Sequence, residues 1–354
     1  MLDEQEPIRT PISQFGEFGL IEHLTQFFPP RHAHVIKAVG DDAAVVRMGD
    51  GSVQVFTTDL LLEGVHFDLA YVPLKHLGYK AVAVNLSDVV AMNAIPYGIT
   101  VSVGVSSRFP VEAMEELYAG IQLACDQYQV DLLGGDTSSS RQGLVLSVTA
   151  FGTADEQDIV YRSGARPDDL ICVTGDLGAA YAGLLVLERE KNVYIHNPNI
   201  QPDLETLDYV IGRQLKPEAR LDMIQLLQKL GIKPTSMMDV SDGVASELHH
   251  LCRQSRCGAL IYSAKLPIDF QTISVAEDFK MNPSMLALNG GEDYELIFTI
   301  PVADFDKIKD QQDITIIGHM TAHPGSVEIV LESNQVVPIE AQGWQHFSTP
   351  PFSK

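Results

Sequence analysis

Apolar positions along the first half of the chain alternate between strand-like and helix-like spacing. Residues 53–58 (VQVFTT) predict a strand that ends at Asp59, and 98–105 (GITVSVGV) alternates as a half-buried strand does. Residues 74–92 space their apolar positions as a helix does. Residues 111–128 predict an amphipathic helix, because a proline precedes them and glutamates occupy the first turns. This half of the chain therefore mixes strands with long helices.

Two further strands are predicted at 130–133 and 144–151, and they flank a Gly-Gly-Asp sequence at 134–136. Paired glycines after an apolar run are typical of a tight turn, so we expect a turn there.

The second half repeats the mixture. Residues 189–203 lack periodicity and predict an irregular surface excursion. The other predicted elements are strands at 170–174, 236–240, 258–262, 294–300 and 314–318, and helices at 177–188, 217–230 and up to about 253.

The pattern predicts an α+β fold with two domains. A change of organisation near 155–165 places the boundary so that residues 1–158 form one domain and 159–354 the other. At 354 residues and 45% hydrophobic, the chain is long enough for one large core or two smaller ones.

Charge limits the partners. With 24 basic and 47 acidic residues, the formal charge is −23, which argues against nucleic acid and against anionic membrane surfaces as partners. The amino-terminal sequence has no apolar signal segment, and no apolar run approaches the ~20 residues that span a bilayer. We expect a cytoplasmic protein. Its four cysteines have no CxxC or zinc spacing, which favours buried reduced thiols.

Six short acidic motifs carry the candidate chemistry. Each lies at the end of an apolar run or within one, where carboxylates lose hydration and repel one another unless cations neutralise them. Oxygen ligands without His or Cys suit Mg²⁺, which commonly bridges carboxylates to phosphates. The motifs are Gly40-Asp41-Asp42, Thr57-Thr58-Asp59, Asn85-Leu86-Ser87-Asp88, Gly134-Gly135-Asp136-Thr137, Asp239-Val240-Ser241-Asp242-Gly243 and Gly290-Gly291-Glu292-Asp293.

Taken singly, several motifs have a structural alternative. The Gly-Gly-Asp sequence could be only a turn, and the Asp and Ser residues at 239–242 could only cap a helix. Asp88 is more specific, because a carboxylate inside an apolar helix is costly unless paired. Of the adjacent pair, Asp42 is favoured over Asp41, since an apolar run follows it.

Two aromatic residues also have alternatives. His66, in Glu63-Gly64-Val65-His66, could lie beside a phosphate or be a structural histidine. Trp344 is the only tryptophan; it could stack on a cationic ring or pack in a core.

In order, these motifs resemble those of the thiamine-monophosphate kinase family. The resemblance covers roughly residues 15–347 and includes GDDAAVV, TTDLLLEGVHF, GYKAVAVNLSDVVAMNAIP, GGDTS, RSGARPDD, VTGDLG, DVSDG, GGEDYEL and GWQHF. It implies ATP-dependent phosphorylation of thiamine phosphate, with several Mg²⁺ ions and no covalent nucleophile. It also implies a homodimer, in which the amino-terminal domains share a β-barrel near ATP and the carboxyl-terminal α/β domain closes over the phosphates.

The resemblance also implies roles for particular residues. Mg²⁺ would be bound by Asp42, Thr57, Thr58, Asp59, Asp88, Asp136, Asp239 and Asp242. ATP would contact Tyr118, Gly135, Asp136, Arg162 and Ser241. Thiamine phosphate would contact His66, Glu292 and Trp344. The departures from the family pattern, Asn93 and the segment 189–203, touch none of these residues.

Two other functions are compatible with the pattern. One is another ATP-dependent enzyme of the same superfamily, which includes aminoimidazole ribonucleotide synthetase and selenophosphate synthetase. The selenophosphate enzyme would need a reactive Cys and a Lys near the amino terminus, and the earliest Cys here is Cys125. The other is a non-catalytic protein that binds Mg²⁺ and nucleotide, although every acidic ligand position is occupied.

Overall fold

Two mixed sheets with helices packed on them make up the protein. The computed structural model describes residues 10–202 and 204–341. The elements of the first half are α1 (Gly16–Thr25), β1 (Val35–Lys37), β2 (Ala44–Arg47), β3 (Ser52–Leu62), α2 (Leu74–Ala91), β4 (Ile95–Val105), α3 (Val111–Tyr128), β5 (Asp131–Ser139) and β6 (Val145–Asp155).

The second half begins with β7 (Leu170–Thr174). It continues with α4 (Ala179–His196), α5 (Asp208–Leu215), α6 (Leu221–Lys229), β8 (Ser236–Asp239), α7 (Val244–Ser255), β9 (Gly258–Tyr262), α8 (Phe270–Asp278), α9 (Pro283–Asn289), β10 (Leu296–Ile300), α10 (Phe305–Ile308), β11 (Ile314–Thr321), β12 (Val327–Val330) and β13 (Val336–Pro338).

The first sheet is open, with strand order β1-β2-β3-β6-β4-β5. Its strands pair antiparallel except β4 and β5, which are parallel and are connected through α3. Helix α2 packs on one face, and the opposite face exposes large side chains such as Leu60 and Tyr97. Within residues 10–202 and 204–341, one face of this sheet is therefore covered and the other is not.

Helices α2 and α3 are unusually close where two glycines meet. A Cβ atom at Gly78 would lie 2.0 Å from the Leu117 oxygen, and one at Gly120 would lie 1.9 Å from the Lys75 oxygen. Only glycine allows this approach. The contact fixes the position of α2, the helix that carries Asp88.

The second sheet has the order β13-β12-β9-β11-β7-β10-β8. Its edge strand β8 ends at Asp239, next to α2, where Ser87 donates a hydrogen bond to Asp239. The largest hydrophobic cluster includes Leu146 of the first sheet and Met237 and Phe298 of the second. The two sheets thus share buried apolar contacts, and the predicted division into two domains stays a prediction.

The α+β prediction is confirmed, and most predicted elements exist. Three local predictions were wrong. Strand β3 does not end at Asp59 but continues to Leu62. Residues 134–136 are not a turn, because they lie inside β5, which pairs along its length with β4. The irregular excursion at 189–203 begins later than expected, because α4 continues to His196.

All four cysteines are free thiols, and three of them are buried while Cys125 is half-buried. Among the described residues, no helix has both the length and the apolar character needed to cross a bilayer.

Candidate active site

Three predicted ligands meet where the two halves of the protein come together. Asp42, Asp88 and Asp239 each present one carboxylate oxygen, and the three oxygens lie within 4.8 Å of one another. Asp42 comes from the loop between β1 and β2, Asp88 from α2 and Asp239 from the end of β8. We call these three residues the acidic cluster.

Arg162 holds the first carboxylate of the acidic cluster. Its Nε and Nη2 donate to Asp42 Oδ1 at 3.0 and 2.5 Å. Asp42 is buried, and its other oxygen, Oδ2, has no hydrogen-bond partner within the described part of the chain. The neighbouring Asp41 has other contacts, because it accepts the Arg162 backbone N–H at 3.0 Å and pairs with Lys37 at 3.0 Å.

The face of β3 that packs on α2 holds Asp88, the second carboxylate of the acidic cluster. Thr57 and Asp59, two residues apart on a strand, point towards α2. Thr57 Oγ1 donates to Asp88 Oδ2 at 2.7 Å, and the Asp59 backbone N–H donates to Asn85 Oδ1 at 2.9 Å. The strand and the helix are therefore held in register beside the acidic cluster.

Thr58 has a different position from its neighbours. It is exposed on the opposite face of β3, and its Oγ1 donates to the Val148 oxygen at 3.0 Å. The structure does not bring the Thr58 side chain to the acidic cluster.

The strand-to-helix junction after β8 is as the sequence predicts. Ser87 Oγ donates to Asp239 Oδ2 at 2.6 Å. The Asp242 backbone N–H donates to Glu247 Oε1 at 2.8 Å, so the loop is held from within α7. Glu247 is itself buried and is a residue that sequence reasoning missed. Its only signal is its place in the first turn of the predicted helix.

Burial makes the carboxylates difficult to ionise. It raises the pKa of Asp42 to about 7, against the opposing charge of Arg162. It raises the pKa values of Asp59, Asp239 and Asp242 to about 6. The pKa of Asp88 is raised well above its usual value, by burial and then by the charges of the surrounding aspartates. Full ionisation of this group therefore requires a compensating positive charge.

The donor set fits a divalent cation. Its atoms are oxygens, its carboxylates are close and partly shielded, and the buried Oδ2 of Asp42 has no partner from the described residues. Hard oxygen ligands of this kind suit Mg²⁺ better than a softer metal.

Glu292 lies on the loop that follows α9. Its backbone N–H donates to the Ser241 oxygen at 2.7 Å, so the loop contacts the segment that carries Asp242. Its side chain accepts hydrogen bonds from Lys80 Nζ at 2.9 Å and Gln214 Nε2 at 2.7 Å. Neither donor was predicted from the sequence, since neither lies next to a motif residue that was assigned a role.

His66 lies just beyond β3 and is half-buried. Its Nδ1 accepts the Leu62 backbone N–H at 3.0 Å, which places the proton of the neutral ring on Nε2. The ring orientation is thus set by the backbone four residues earlier.

The remaining predicted ATP contacts lie on a different part of the first sheet. Asp136 and Gly135 belong to β5, three strands from β3, which corresponds to about 14 Å. Asp136 pairs with the exposed Ser102, so its side chain shares the uncovered face and not the face of the acidic cluster. Within one chain, Asp136 therefore stands apart from Asp42, Asp88 and Asp239.

Gly135 is required by the sheet itself. A Cβ atom at this position would lie 1.8 Å from the Val101 oxygen of β4. Beside β5, a cavity of about 440 Å³ opens against α3, with Tyr118, Cys125 and Leu132 among its lining residues. Tyr118 therefore groups with β5, while Arg162 and Ser241 group with the acidic cluster. Trp344, the remaining predicted contact, lies outside the described residues.

Comparison with known proteins identifies the family. The family described as AIR synthase related protein, N-terminal domain, matches residues 40–154. A thiamine-monophosphate kinase from Aquifex aeolicus (strain VF5) is 33% identical over 336 residues, which are 95% of this chain and 99% of that protein. The chain belongs to the thiamine-monophosphate kinase family.

Further matches agree with this family. The thiamine-monophosphate kinase from Bacillus subtilis (strain 168) is 34% identical, with 94% of this chain and 99% of that protein covered. The solved structure of AaThiL complexed with AMPPCP and TMP is 31% identical and has a TM-score of 0.81, with 96% of this chain and 100% of that chain covered. Thiamine-monophosphate kinases thus resemble this chain both in sequence and in fold.

Proposed function

We propose that this protein transfers the γ-phosphoryl group of ATP to thiamine phosphate, forming thiamine diphosphate. Family membership supports this reaction, because relatives are named thiamine-monophosphate kinase and one related structure is a complex with AMPPCP and TMP. The observation in the chain itself that carries the proposal is the meeting of Asp42, Asp88 and Asp239 between its two halves. Phosphoryl transfer depends mainly on positioning and charge neutralisation, so it needs no covalent nucleophile.

Several Mg²⁺ ions are proposed to bind at the acidic cluster. Asp42, Asp88 and Asp239 would hold them, and Asp59, Asp242 and the hydroxyl of Thr57 would extend the ligand set. Bound there, Mg²⁺ would neutralise the phosphate charges and allow two anions to approach for in-line transfer. Arg162 would keep Asp42 oriented and add positive charge on the nucleotide side, beside Ser241.

The nucleotide site is proposed to be shared between two copies of the chain. Tyr118, Gly135 and Asp136, here called the β5 group, lie on or beside the edge strand β5, whereas Arg162 and Ser241 lie beside the acidic cluster. We propose a homodimer in which the first sheets of two copies form a barrel, so that the β5 group of one copy and the acidic cluster of the other complete one nucleotide site. Thr58, on the same uncovered face as Asp136, would then also face the partner.

Thiamine phosphate is proposed to bind on the Glu292 side. A carboxylate suits the cationic, amino-bearing acceptor, and His66 would donate from Nε2 to its phosphate. Trp344 would stack on its ring, and a cation–π contact contributes about 0.5–2 kcal/mol.

We therefore expect Trp344→Ala to raise the KM for thiamine phosphate several-fold and leave the KM for ATP unchanged. Equal rises in both, or a lowered melting temperature, would assign Trp344 to packing.

The decisive experiment incubates the protein with ATP, Mg²⁺ and thiamine phosphate and measures thiamine diphosphate and ADP. Thiamine without its phosphate serves as the control acceptor, and excess chelator tests the metal requirement. We expect equimolar products with thiamine phosphate, none with thiamine and no ATP binding in chelator. ATP binding without product would indicate a binding protein, whereas turnover only with a different acceptor would indicate another enzyme of the superfamily.

A further inference from the structure

A buried lysine connects α2 with the loop that carries Glu292. Lys80 is only 4% exposed, although it lies on a helix whose other buried positions are mostly apolar. Its Nζ donates to Glu292 Oε2 at 2.9 Å and to the Gln214 backbone oxygen at 3.0 Å. A buried ammonium is costly unless it is paired, so this lysine requires an explanation.

Gln214 gives the same carboxylate oxygen a second donor. Its Nε2 lies 2.7 Å from Glu292 Oε2, and its own Oε1 is buried with no hydrogen-bond partner in residues 10–202 and 204–341. A buried amide oxygen without a partner destabilises a protein. Gln214 therefore donates to Glu292 while its own Oε1 stays without a hydrogen bond from the described residues.

The backbone around Glu292 is equally constrained. Glu292 and Tyr294 have φ values of 68° and 53°, which side-chain-bearing residues rarely adopt. Their N–H groups donate to the Ser241 and Val240 oxygens at 2.7 and 2.9 Å. Main-chain hydrogen bonds thus place the loop, and Lys80 and Gln214 together orient the side chain of Glu292.

We propose that Lys80 and Gln214 are positioning residues that orient Glu292 for the acceptor. Both donors end on Oε2 of a side chain that is 28% exposed, so Oε1 is the oxygen offered to the ligand. Lys80 and Asp88 are eight residues apart on α2, which is about 12 Å along the axis. The rigid helix therefore fixes the distance between the acceptor contact and the acidic cluster. This inference rests on the proposed function, in which Glu292 binds thiamine phosphate.

The test is a double-mutant cycle with Lys80→Met and Glu292→Gln. Loss of a hydrogen bond to a charged group should raise the KM for thiamine phosphate about tenfold in Lys80→Met and leave the KM for ATP within about twofold. In the Glu292→Gln background, Lys80→Met should add almost nothing, because the group it positions has already changed. Lys75→Met is the matched control, since Lys75 is exposed on the same helix.

Gln214→Leu keeps the inference testable if Lys80→Met does not fold. It removes one donor and the unpartnered oxygen, so we expect a smaller rise in the acceptor KM together with an unchanged or higher melting temperature. If the role of Gln214 were purely structural, Gln214→Leu would lower the melting temperature and would not change the KM for thiamine phosphate relative to the KM for ATP.

Two outcomes overturn the inference and are distinguishable. The first requires that wild type and Lys75→Met convert thiamine phosphate. The positioning role is then wrong if Lys80→Met and Glu292→Gln raise the KM for thiamine phosphate independently, so that their fold-changes multiply in the double variant. It is also wrong if Lys80→Met raises the KM for ATP as much as the KM for thiamine phosphate. If wild type itself does not convert thiamine phosphate, the proposed function fails, and this inference fails with it.

Discussion

At the scale of single residues, Asp88 shows how function and stability oppose each other. Its pKa is raised by burial and by neighbouring aspartates, so its charge destabilises the metal-free fold. We expect Asp88→Asn to lower kcat at least ~100-fold, as loss of a metal ligand implies. In chelator, the same variant should melt at a higher temperature than wild type.

Kinetics and melting curves with and without Mg²⁺ test this prediction. Asp126→Asn, on the exposed side of α3, is the control and should change neither quantity. An Asp88→Asn variant with a normal rate would make Asp88 a structural carboxylate.

Asp59 provides a prediction about pH. Burial raises its pKa to about 6 from a usual value near 4, so ionisation destabilises the native state. A raised carboxylate pKa contributes stability at low pH that is lost as the pH rises through the folded-state value. Relative to Asp59→Asn, metal-free wild type should therefore lose on the order of 2 kcal/mol between about pH 4 and 7.

Denaturant titrations of both proteins in chelator measure that difference. Saturating Mg²⁺ at pH 8 should restore stability to wild type more than to the variant, because a cation replaces the proton. A difference that does not change with pH would show that Asp59 is ordinarily hydrated.

At the scale of elements, β5 depends on a single glycine. Because a Cβ at Gly135 would lie 1.8 Å from the Val101 oxygen, Gly135→Ala should force β5 away from β4. Overpacking of this kind costs about 1–3 kcal/mol. We expect lower stability together with weaker nucleotide binding, since Asp136 moves with the strand.

Gly49→Ala is the control for this substitution, because nothing lies within 4 Å of a Cβ at Gly49. Melting temperature and the Kd for the ATP complex are the measurements. Normal nucleotide affinity in Gly135→Ala would separate β5 from the nucleotide site.

At the scale of the whole molecule, a shared site predicts complementation between inactive variants. If Asp136 serves the acidic cluster of a partner, Asp88→Asn and Asp136→Asn would each inactivate both sites of a homodimer. Co-refolding equal amounts should give hybrid dimers with one intact site, and hence about a quarter of wild-type activity. Sedimentation should show dimers throughout.

Two results would contradict the shared site. One is an active monomer at micromolar concentration. The other is a mixture no more active than its components, although sedimentation with a labelled subunit shows that hybrids formed.

The sequence by itself determined the α+β fold class, the main helices and the candidate residues from which the acidic cluster is built. Helix α3 was predicted at its observed bounds, because helical periodicity is a local property. The ligand types were also predictable, since a carboxylate such as Asp88 inside an apolar run is costly wherever that run is buried.

Only the tertiary structure decided which candidates meet. Strand alternation separates Thr58 from Thr57 and Asp59. The pairing of Asp136 with Ser102 places it on the uncovered face of the first sheet, away from Asp239 at the end of β8, although all five are equally motif-like. The glycines at 134–135 predicted a turn but allow close strand pairing, a distinction that depends on the partner strand. The pairing of Lys80 and Gln214 with Glu292 joins residues 212 and 78 positions apart, and no local pattern records such contacts.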